Sequence, residues 1–231
     1  MSNIIALGGG GFTMEPDNLA LDRYLLAQVA HPRPRICFVP TASGDSDNHV
    51  ARFYAAYTTL ACIPTHLSLF RPQAADIEGV LAQADIVFVG GGNTRNMLAV
   101  WQAWKLGPML QRCYQRGCIL AGISAGAICW FNQGLTDSVP GALTSIAGLG
   151  LLPGTFCPHY DGESKRRPAF HKMLQTGEVG PGFAVDDSAA LHFRGGQLLQ
   201  AVCSRPGAHA YRVELEGGDV REHELPIALV P

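Results

Sequence analysis

The sequence has little net charge, no paired-cysteine motif and no long apolar run, and each absence excludes a class of function. The 19 acidic and 17 basic residues nearly balance over 231 residues, and a formal charge of -2 argues against a nucleic-acid surface. No apolar stretch approaches the ~20 residues that cross a bilayer, so we expect no membrane partner. The N-terminal segment also lacks the basic start and apolar core of a secretory signal.

The cysteines form no recognisable framework. Their number is odd, no C-x-x-C pair occurs, and most of them stand in apolar stretches. This pattern indicates buried free thiols in a reducing cytoplasm and neither disulfides nor a zinc site. The seven are Cys37, Cys62, Cys113, Cys118, Cys129, Cys157 and Cys203.

The first half of the chain alternates short β-rich runs with helix-like segments. Such alternation is typical of βαβ units, and the continuous apolar runs at 35–39 and 86–89 indicate strands that are buried on both faces. We predict a mostly parallel, doubly wound α/β sheet flanked by helices, in a single domain over residues 1–231. The predicted strands are 3–7, 35–39, 65–70 and 85–89, and the predicted helices are 17–29, 47–60, 75–83, 94–104 and 108–116.

Beyond Asp137 the pattern changes, because glycine and proline become frequent. Gly195-Gly196 and Gly217-Gly218 separate strand-like runs and predict two hairpins. The sequence therefore predicts an antiparallel C-terminal extension of the sheet. The elements predicted here are a helix at 164–175 and strands at 183–185, 190–193, 197–202 and 211–215.

One pentapeptide, Gly122-Ile123-Ser124-Ala125-Gly126, carries the strongest chemical signal. It follows the apolar run 118–121 and precedes the apolar stretch 127–131, which predicts a strand, a sharp turn and a helix. Such an elbow exposes the serine hydroxyl, and the helix N-terminus offers N–H groups to a developing oxyanion. Ser124 is thus the candidate nucleophile.

Two glycine-rich loops follow predicted strands. Gly90-Gly91-Gly92-Asn93-Thr94 has amides that can face an anion, and beside Ser124 they would complete an oxyanion hole with Ala125; the alternative is an N-cap role for Asn93 or Thr94. Gly8-Gly9-Gly10-Gly11 does not fit G-x-G-x-x-G, because Thr13 stands at the third glycine position. We interpret it as a tight turn beside the active site, and no nucleotide cofactor is predicted.

A catalytic serine needs a base and an orienting acid. Of eight histidines, His159 stands in the loop-like segment Cys157-Pro158-His159-Tyr160-Asp161, where it can reach a ligand. Asp186 and Asp187 end a predicted strand, and because consecutive strand residues face opposite ways, only one should point at the site. The alternative for this pair is a turn or N-cap role.

Together these segments resemble the peptidase E (aspartyl dipeptidase) and cyanophycinase group, peptidase family S51, whose fold is similar to class I glutamine amidotransferase domains. The resemblance covers nearly the whole chain, from the first strand to about His209. The motifs that carry it, in order, are 89–94, 122–127, Pro158-His159-Tyr160 and 185–191.

The resemblance implies a serine peptidase mechanism that requires no cofactor and no metal. Ser124 would be the nucleophile, His159 the general base and Asp187 the triad acid, with Gly91, Gly92 and the Ala125 amide at the oxyanion position. The order Ser, His, acid differs from that of α/β-hydrolases, which would need Asp187 with His209 or His223. A glutamine amidotransferase is disfavoured because its nucleophile is cysteine.

The resemblance also implies short peptides as substrates, and dipeptides with an N-terminal aspartate first. The predicted substrate-binding residues are Asn93 and the cations Lys165, Arg166 and Arg167, because arginine can bind a carboxylate with two hydrogen bonds. A solvated basic helix start is the alternative for these cations. The predicted partners are the peptide and, in a homodimer, a second copy of the chain.

Two other functions stay open at this point. A cyanophycinase-like hydrolase of β-aspartyl-arginine linkages would want an acidic pocket for the arginine group. A catalytically silent amidotransferase-like binding module would not need an intact serine, histidine and acid.

Overall fold

Two β-sheets with flanking helices form the structure, a computed structural model that describes residues 2–72 and 74–231. The strands are β1 (Asn3–Leu7), β2 (Arg35–Val39), β3 (Ile63–His66), β4 (Ile86–Val89), β5 (Ile119–Ile123), β6 (Phe131–Thr136), β7 (Thr144–Ala147), β8 (Leu152–Cys157), β9 (Gly182–Val185), β10 (Ala189–Arg194), β11 (Gln197–Cys203), β12 (Ala210–Glu216), β13 (Asp219–Glu224) and β14 (Ile227–Leu229). The helices are α1 (Gly11–Met14), α2 (Ala20–Leu26), α3 (Asp47–Tyr57), α4 (Ile77–Ala82), α5 (Thr94–Trp104), α6 (Leu106–Gln115), α7 (Ala125–Ile128) and α8 (Arg166–Gln175), with a 3-10 turn at Thr41–Ser43.

The first sheet has the order β14-β11-β10-β1-β5-β4-β2-β3. Strands β1, β5, β4, β2 and β3 are parallel neighbours, whereas β10 pairs with β1, and β11 with β10, in antiparallel fashion. The predicted mostly parallel sheet with a C-terminal antiparallel extension is confirmed. Every residue of β4 and β5 is buried, as expected for strands covered on both faces.

The second sheet has the order β13-β12-β9-β8-β6-β7 and was not predicted as a separate sheet. The sequence indicated strands at the positions of β9 and β12 but assigned them to the extension of the first sheet, and it gave no strand over β6, β7 or β8. Aromatic packing joins the two sheets: the ring centroids of Phe131 in β6 and Phe193 in β10 are 5.6 Å apart. Both glycine hairpins are confirmed, since β10 pairs with β11 and β12 with β13.

The helix after the elbow is shorter than the apolar stretch 127–131 indicated, because α7 ends at Ile128. Backbone partners from a later segment explain the early end. Leu149 N–H donates to Cys129 O, and Leu152 N–H donates to Trp130 O. The apolar side chains that suggested a helix are buried in the core instead.

The strand predicted at 65–70 is shifted, since β3 ends at His66. One carboxylate causes the difference. Oδ2 of Asp45 accepts hydrogen bonds from Ser68 Oγ and from the N–H groups of Leu69 and Phe70, so this segment turns instead of continuing the strand. Of the helices in the described part of the chain, none has the length and apolar character to span a membrane.

A buried histidine in β10 gives the fold a measurable pH dependence. His192 is 0% exposed, and its ring nitrogens contact the Tyr24 hydroxyl at 2.7 Å and Asn3 Oδ1 at 3.0 Å. Burial, with a smaller contribution from the Arg194 charge, lowers the pKa of His192 to about 4. An unfolded histidine has a pKa of about 6.5, so between these values the unfolded chain binds a proton that the native chain does not.

This contribution to stability is therefore present above about pH 6.5 and is lost as the pH falls towards 4. We expect the difference in unfolding free energy between wild type and His192→Gln to shrink by up to about 3 kcal/mol from pH 7 to pH 4. Urea unfolding of both proteins across this range measures it. If the difference in unfolding free energy between the two proteins stays constant from pH 7 to pH 4, the buried neutral imidazole is ruled out.

Candidate active site

Ser124 stands at the turn between β5 and α7 with a backbone that L-residues seldom adopt. Its φ is 55° and its ψ is -115°, and its N–H donates to Leu7 O at 3.1 Å. A Cβ on Gly122 would lie 2.2 Å from Gly126 O, and one on Gly126 would lie 2.2 Å from Val89 O. Only glycine fits two positions before and two positions after the serine, which explains the G-x-S-x-G spacing.

The structure brings His159 and Asp187 together. His159 follows β8 with a φ of 53°, and its Nδ1 lies 2.6 Å from Asp187 Oδ1. The two side chains are 14% and 19% exposed, so the pair is largely shielded from solvent while still reachable. A hydrogen on Nδ1 that is donated to this carboxylate leaves Nε2 as the proton acceptor.

The Asp186 side chain points away from His159, as the alternation of strand residues predicted. Its Oδ2 accepts a hydrogen bond from the His209 N–H at 2.9 Å, and the residue is 3% exposed. Burial raises the pKa of Asp186 to about 6. Of the two adjacent acids, Asp187 is thus the one beside His159.

The first glycine loop lies against this pair. A Cβ on Gly9 would fall 1.9 Å from Asp187 Oδ1 and 3.1 Å from His159 Nδ1. Gly162, the glycine that follows the loop-like segment of His159, meets the other carboxylate oxygen, since a Cβ there would lie 2.3 Å from Asp187 Oδ2. Both glycines are needed for close approach to the acid, and the first loop is the tight turn beside the site that the sequence indicated.

The second glycine loop lies beside Ser124. A Cβ on Gly91 would lie 3.4 Å from Ser124 Cβ and 3.9 Å from Ser124 Oγ. Within residues 2–72 and 74–231, the N–H groups of Gly91, Gly92 and Ala125 donate to no protein acceptor. Unpaired backbone donors next to a serine hydroxyl are the elements of an oxyanion hole.

Asn93 has its side chain engaged within the protein. Its Oδ1 caps α5 by accepting from the Asn96 N–H at 2.9 Å, and its Nδ2 donates to Ser138 O at 3.0 Å. The N-cap alternative is confirmed for this residue. Each polar atom of the amide thus has one partner within the protein, and the substrate contact of Asn93 stays a prediction.

The three predicted substrate-binding cations have different environments. Arg166 is 2% exposed and donates to Glu163 Oε2 at 2.7 Å and to Leu135 O at 2.8 Å, so its guanidinium is engaged within the protein. Lys165 and Arg167, on either side of it in the sequence, are exposed. Arg167 lies over the Tyr160 ring at 4.6 Å, 3.6 Å from Glu222.

Lys165 is exposed and lines a cavity between the loop that follows β6 and the loop that follows His159. In the described part of the chain it forms no ion pair. Asp137 and Glu163 line the same cavity, and both also lie near Arg166. Among the three cations, Lys165 is therefore the one with a free charge.

Comparison with known proteins assigns the chain to a family. The family model described as peptidase family S51 matches residues 4–201. The chain belongs to peptidase family S51. A Bacillus subtilis relative named uncharacterized peptidase YgaJ is 54% identical over 227 residues, which cover 98% of each chain.

Other relatives and solved structures match at lower sequence identity. A Streptomyces coelicolor protein named peptidase E is 30% identical over 128 residues, which cover 54% of this chain and 51% of the relative. A solved peptidase from an acI-B1 actinobacterium superimposes with a TM-score of 0.73 at 18% identity, covering 98% of this chain and 95% of its own. A putative peptidase E from Listeria monocytogenes gives a TM-score of 0.64 at 18% identity, with coverage of 86% and 97%. These structures share the fold of this S51 peptidase.

Proposed function

We propose that this S51 peptidase is a serine-type dipeptidase that cleaves short peptides, with N-terminal aspartate as the preferred residue. The observation that carries the proposal is the 2.6 Å contact of His159 with Asp187, in a chain that also holds Ser124 at a strained elbow beside unpaired backbone donors. Nucleophile, base and orienting acid are the three parts that acyl transfer requires.

In the proposed mechanism His159 takes the hydroxyl proton of Ser124 while Oγ attacks the peptide carbonyl. The Gly91, Gly92 and Ala125 N–H groups stabilise the oxyanion. Protonated His159, held by Asp187, then donates the proton to the leaving amine. Water, activated by the same histidine, hydrolyses the acyl-enzyme and regenerates the serine.

Lys165 supports the preference for aspartate. It is the free cation on a cavity whose wall includes Gly162, and Gly162 lies against Asp187. A substrate carboxylate bound by Lys165 would form a charge-assisted hydrogen bond. In this proposal Arg166 supports the cavity wall through Asp137 and Glu163, Arg167 packs on Tyr160, and neither contacts the peptide.

A second candidate is cleavage of β-aspartyl-arginine linkages. The observation that favours it is the presence of Asp137 and Glu163 on the same cavity, because carboxylates would suit a guanidinium group. Arg166 lies near both acids and reduces their attraction for a second cation.

A peptide panel tests these assignments. We expect the protein to hydrolyse Asp-Leu with a kcat/KM at least tenfold above those for Asn-Leu, Ala-Leu and β-Asp-Arg, because a charge-assisted hydrogen bond contributes about 1.5–3 kcal/mol. Lys165→Met should lower kcat/KM for Asp-Leu about tenfold and leave Ala-Leu unchanged. Lys172→Met, a change of an exposed lysine in α8, the helix that begins directly after Lys165, is the matched control.

Equal rates for Asp-Leu and Ala-Leu would overturn the proposed specificity, and faster cleavage of β-Asp-Arg would establish the second candidate. Hydrolysis of none of these peptides would contradict the proposed dipeptidase.

A further inference from the structure

We infer that Glu15 is a positioning residue: its carboxylate holds Ser188, and through Ser188 it keeps Asp187 against His159. Nothing in the sequence motifs pointed to Glu15, which follows α1 directly. The inference rests on the proposed function, because it concerns how the triad acid is oriented.

Both carboxylate oxygens of Glu15 face serines from distant parts of the chain. Oε1 accepts a hydrogen bond from Ser188 Oγ at 2.7 Å, and Oε2 accepts one from Ser204 Oγ at 3.3 Å. Gly10 makes room for this arrangement, since a Cβ there would lie 3.1 Å from Glu15 Oε2 and 2.9 Å from Ser188 Cα.

Ser188 is held at every polar atom. It is 2% exposed, its N–H donates to Gly9 O at 3.2 Å, and its carbonyl accepts from the Ser204 N–H at 2.9 Å. Glu15 supplies the partner for the remaining group, the hydroxyl. The φ of Ser188 is 63°, a conformation that residues with a side chain seldom adopt. The contacts around Ser188 must therefore maintain the turn.

The turn at Ser188 determines where the preceding carboxylate points. Two residues, Asp187 and Ser188, lie between the buried Asp186 and the start of β10. Because this connection is so short, its backbone conformation sets the direction of the Asp187 side chain. Gly9, on the loop that precedes Glu15, lies against the Asp187 carboxylate. The segment after β1 thus contacts this turn at two places: Gly9 packs against the Asp187 carboxylate, and Glu15 accepts the hydrogen bond from Ser188.

Without Glu15 the buried Ser188 hydroxyl loses its acceptor, and the strained turn can relax. A shift of Asp187 by even a fraction of an ångström would misalign the His159 ring. Such misplacement by a residue outside the chemistry lowers turnover while substrate contacts stay intact.

The test compares Glu15→Ala, Glu15→Gln, Ser188→Ala and the double variant Glu15→Ala/Ser188→Ala. The matched control is Asp17→Ala, an exposed acid two residues further along the chain. The measurements are kcat and KM on Asp-Leu, the melting temperature, and the low-field proton NMR resonance of the His159 Nδ1–H, assigned by its loss in His159→Ala.

We expect Glu15→Ala to lower kcat about tenfold with KM within about twofold, and to broaden or remove the low-field resonance. Glu15→Gln keeps an acceptor for Ser188 Oγ and should restore both readouts to near wild type. Ser188→Ala should reproduce Glu15→Ala, and the double variant should lose no more than either single one, because the two residues act through one hydrogen bond.

An unchanged resonance in Glu15→Ala, or Glu15→Gln behaving like Glu15→Ala, would overturn the inference. A fall in kcat that follows the melting temperature alone, with the resonance intact, would also overturn it. If wild type cleaves no dipeptide, the proposed function fails, and the resonance in the same variants still decides the role of Glu15.

Discussion

Ser124→Ala is expected to lower kcat for dipeptide hydrolysis by about 10⁶-fold, since the loss of a catalytic serine removes the covalent route entirely. The residual rate would come from binding and from the backbone donors beside the site. The fold should persist, because Ser124 is anchored through its own N–H and the Ser124 hydroxyl forms no hydrogen bond within the described residues. Peptide turnover and the melting temperature measure the two effects.

Labelling gives the same prediction a second readout. A fluorophosphonate should modify wild type at Ser124 and leave Ser124→Ala unmodified, as mass spectrometry of the digested protein would show. Ser46→Ala, at another helix N-cap without a side-chain cap bond, serves as the control and should keep full activity. Turnover by Ser124→Ala within tenfold of wild type would exclude the serine mechanism.

Replacing each of the two adjacent acids separately should give opposite results. Asp187→Asn is expected to lower kcat by about 10⁴-fold, because an amide facing Nδ1 favours the wrong histidine tautomer and cannot stabilise the imidazolium. Asp186→Asn should stay within about fivefold of wild type, since its carboxylate accepts from the His209 backbone and does not contact His159. The change at position 186 also replaces a buried carboxyl by a neutral group of the same shape.

The pair of variants is its own control, because both changes are isosteric and one residue apart. Kinetics on the same dipeptide, with the melting temperature of each protein, decides between them. Loss of activity in Asp186→Asn with Asp187→Asn unaffected would reverse the assignment, and equal losses would mean that the fold and not the triad was damaged.

Local patterns predicted the parts of the structure that local forces determine. The elbow at Ser124, the parallel strands and the Gly195-Gly196 hairpin follow from apolar runs and from the turn chemistry of glycine. Alternation along β9 also predicted that one of the two acids would face the site. Which acid it is depends on the register of the strand against β12, and that is a tertiary property.

The burial of Arg166 is a feature that the sequence could not indicate. A basic run next to a candidate histidine is typical of a substrate-binding segment, and nothing in the run distinguishes a buried arginine from an exposed one. The partners that bury Arg166 are Leu135, on β6, and Glu163, in the loop before α8. Because β6 itself was not recognised, the arginine could not be assigned to it.

The division of the chain into two sheets makes catalytic competence a property of how the sheets dock. Ser124 is carried by β5 of the first sheet, His159 follows β8 of the second, and Asp187 lies at the crossover from β9 to β10. Neither sheet alone holds the proposed nucleophile together with its proposed base. Turnover therefore depends on the packing of Phe131 against Phe193 between the sheets. A displacement of one sheet relative to the other at this contact would abolish activity while every helix and strand stayed intact.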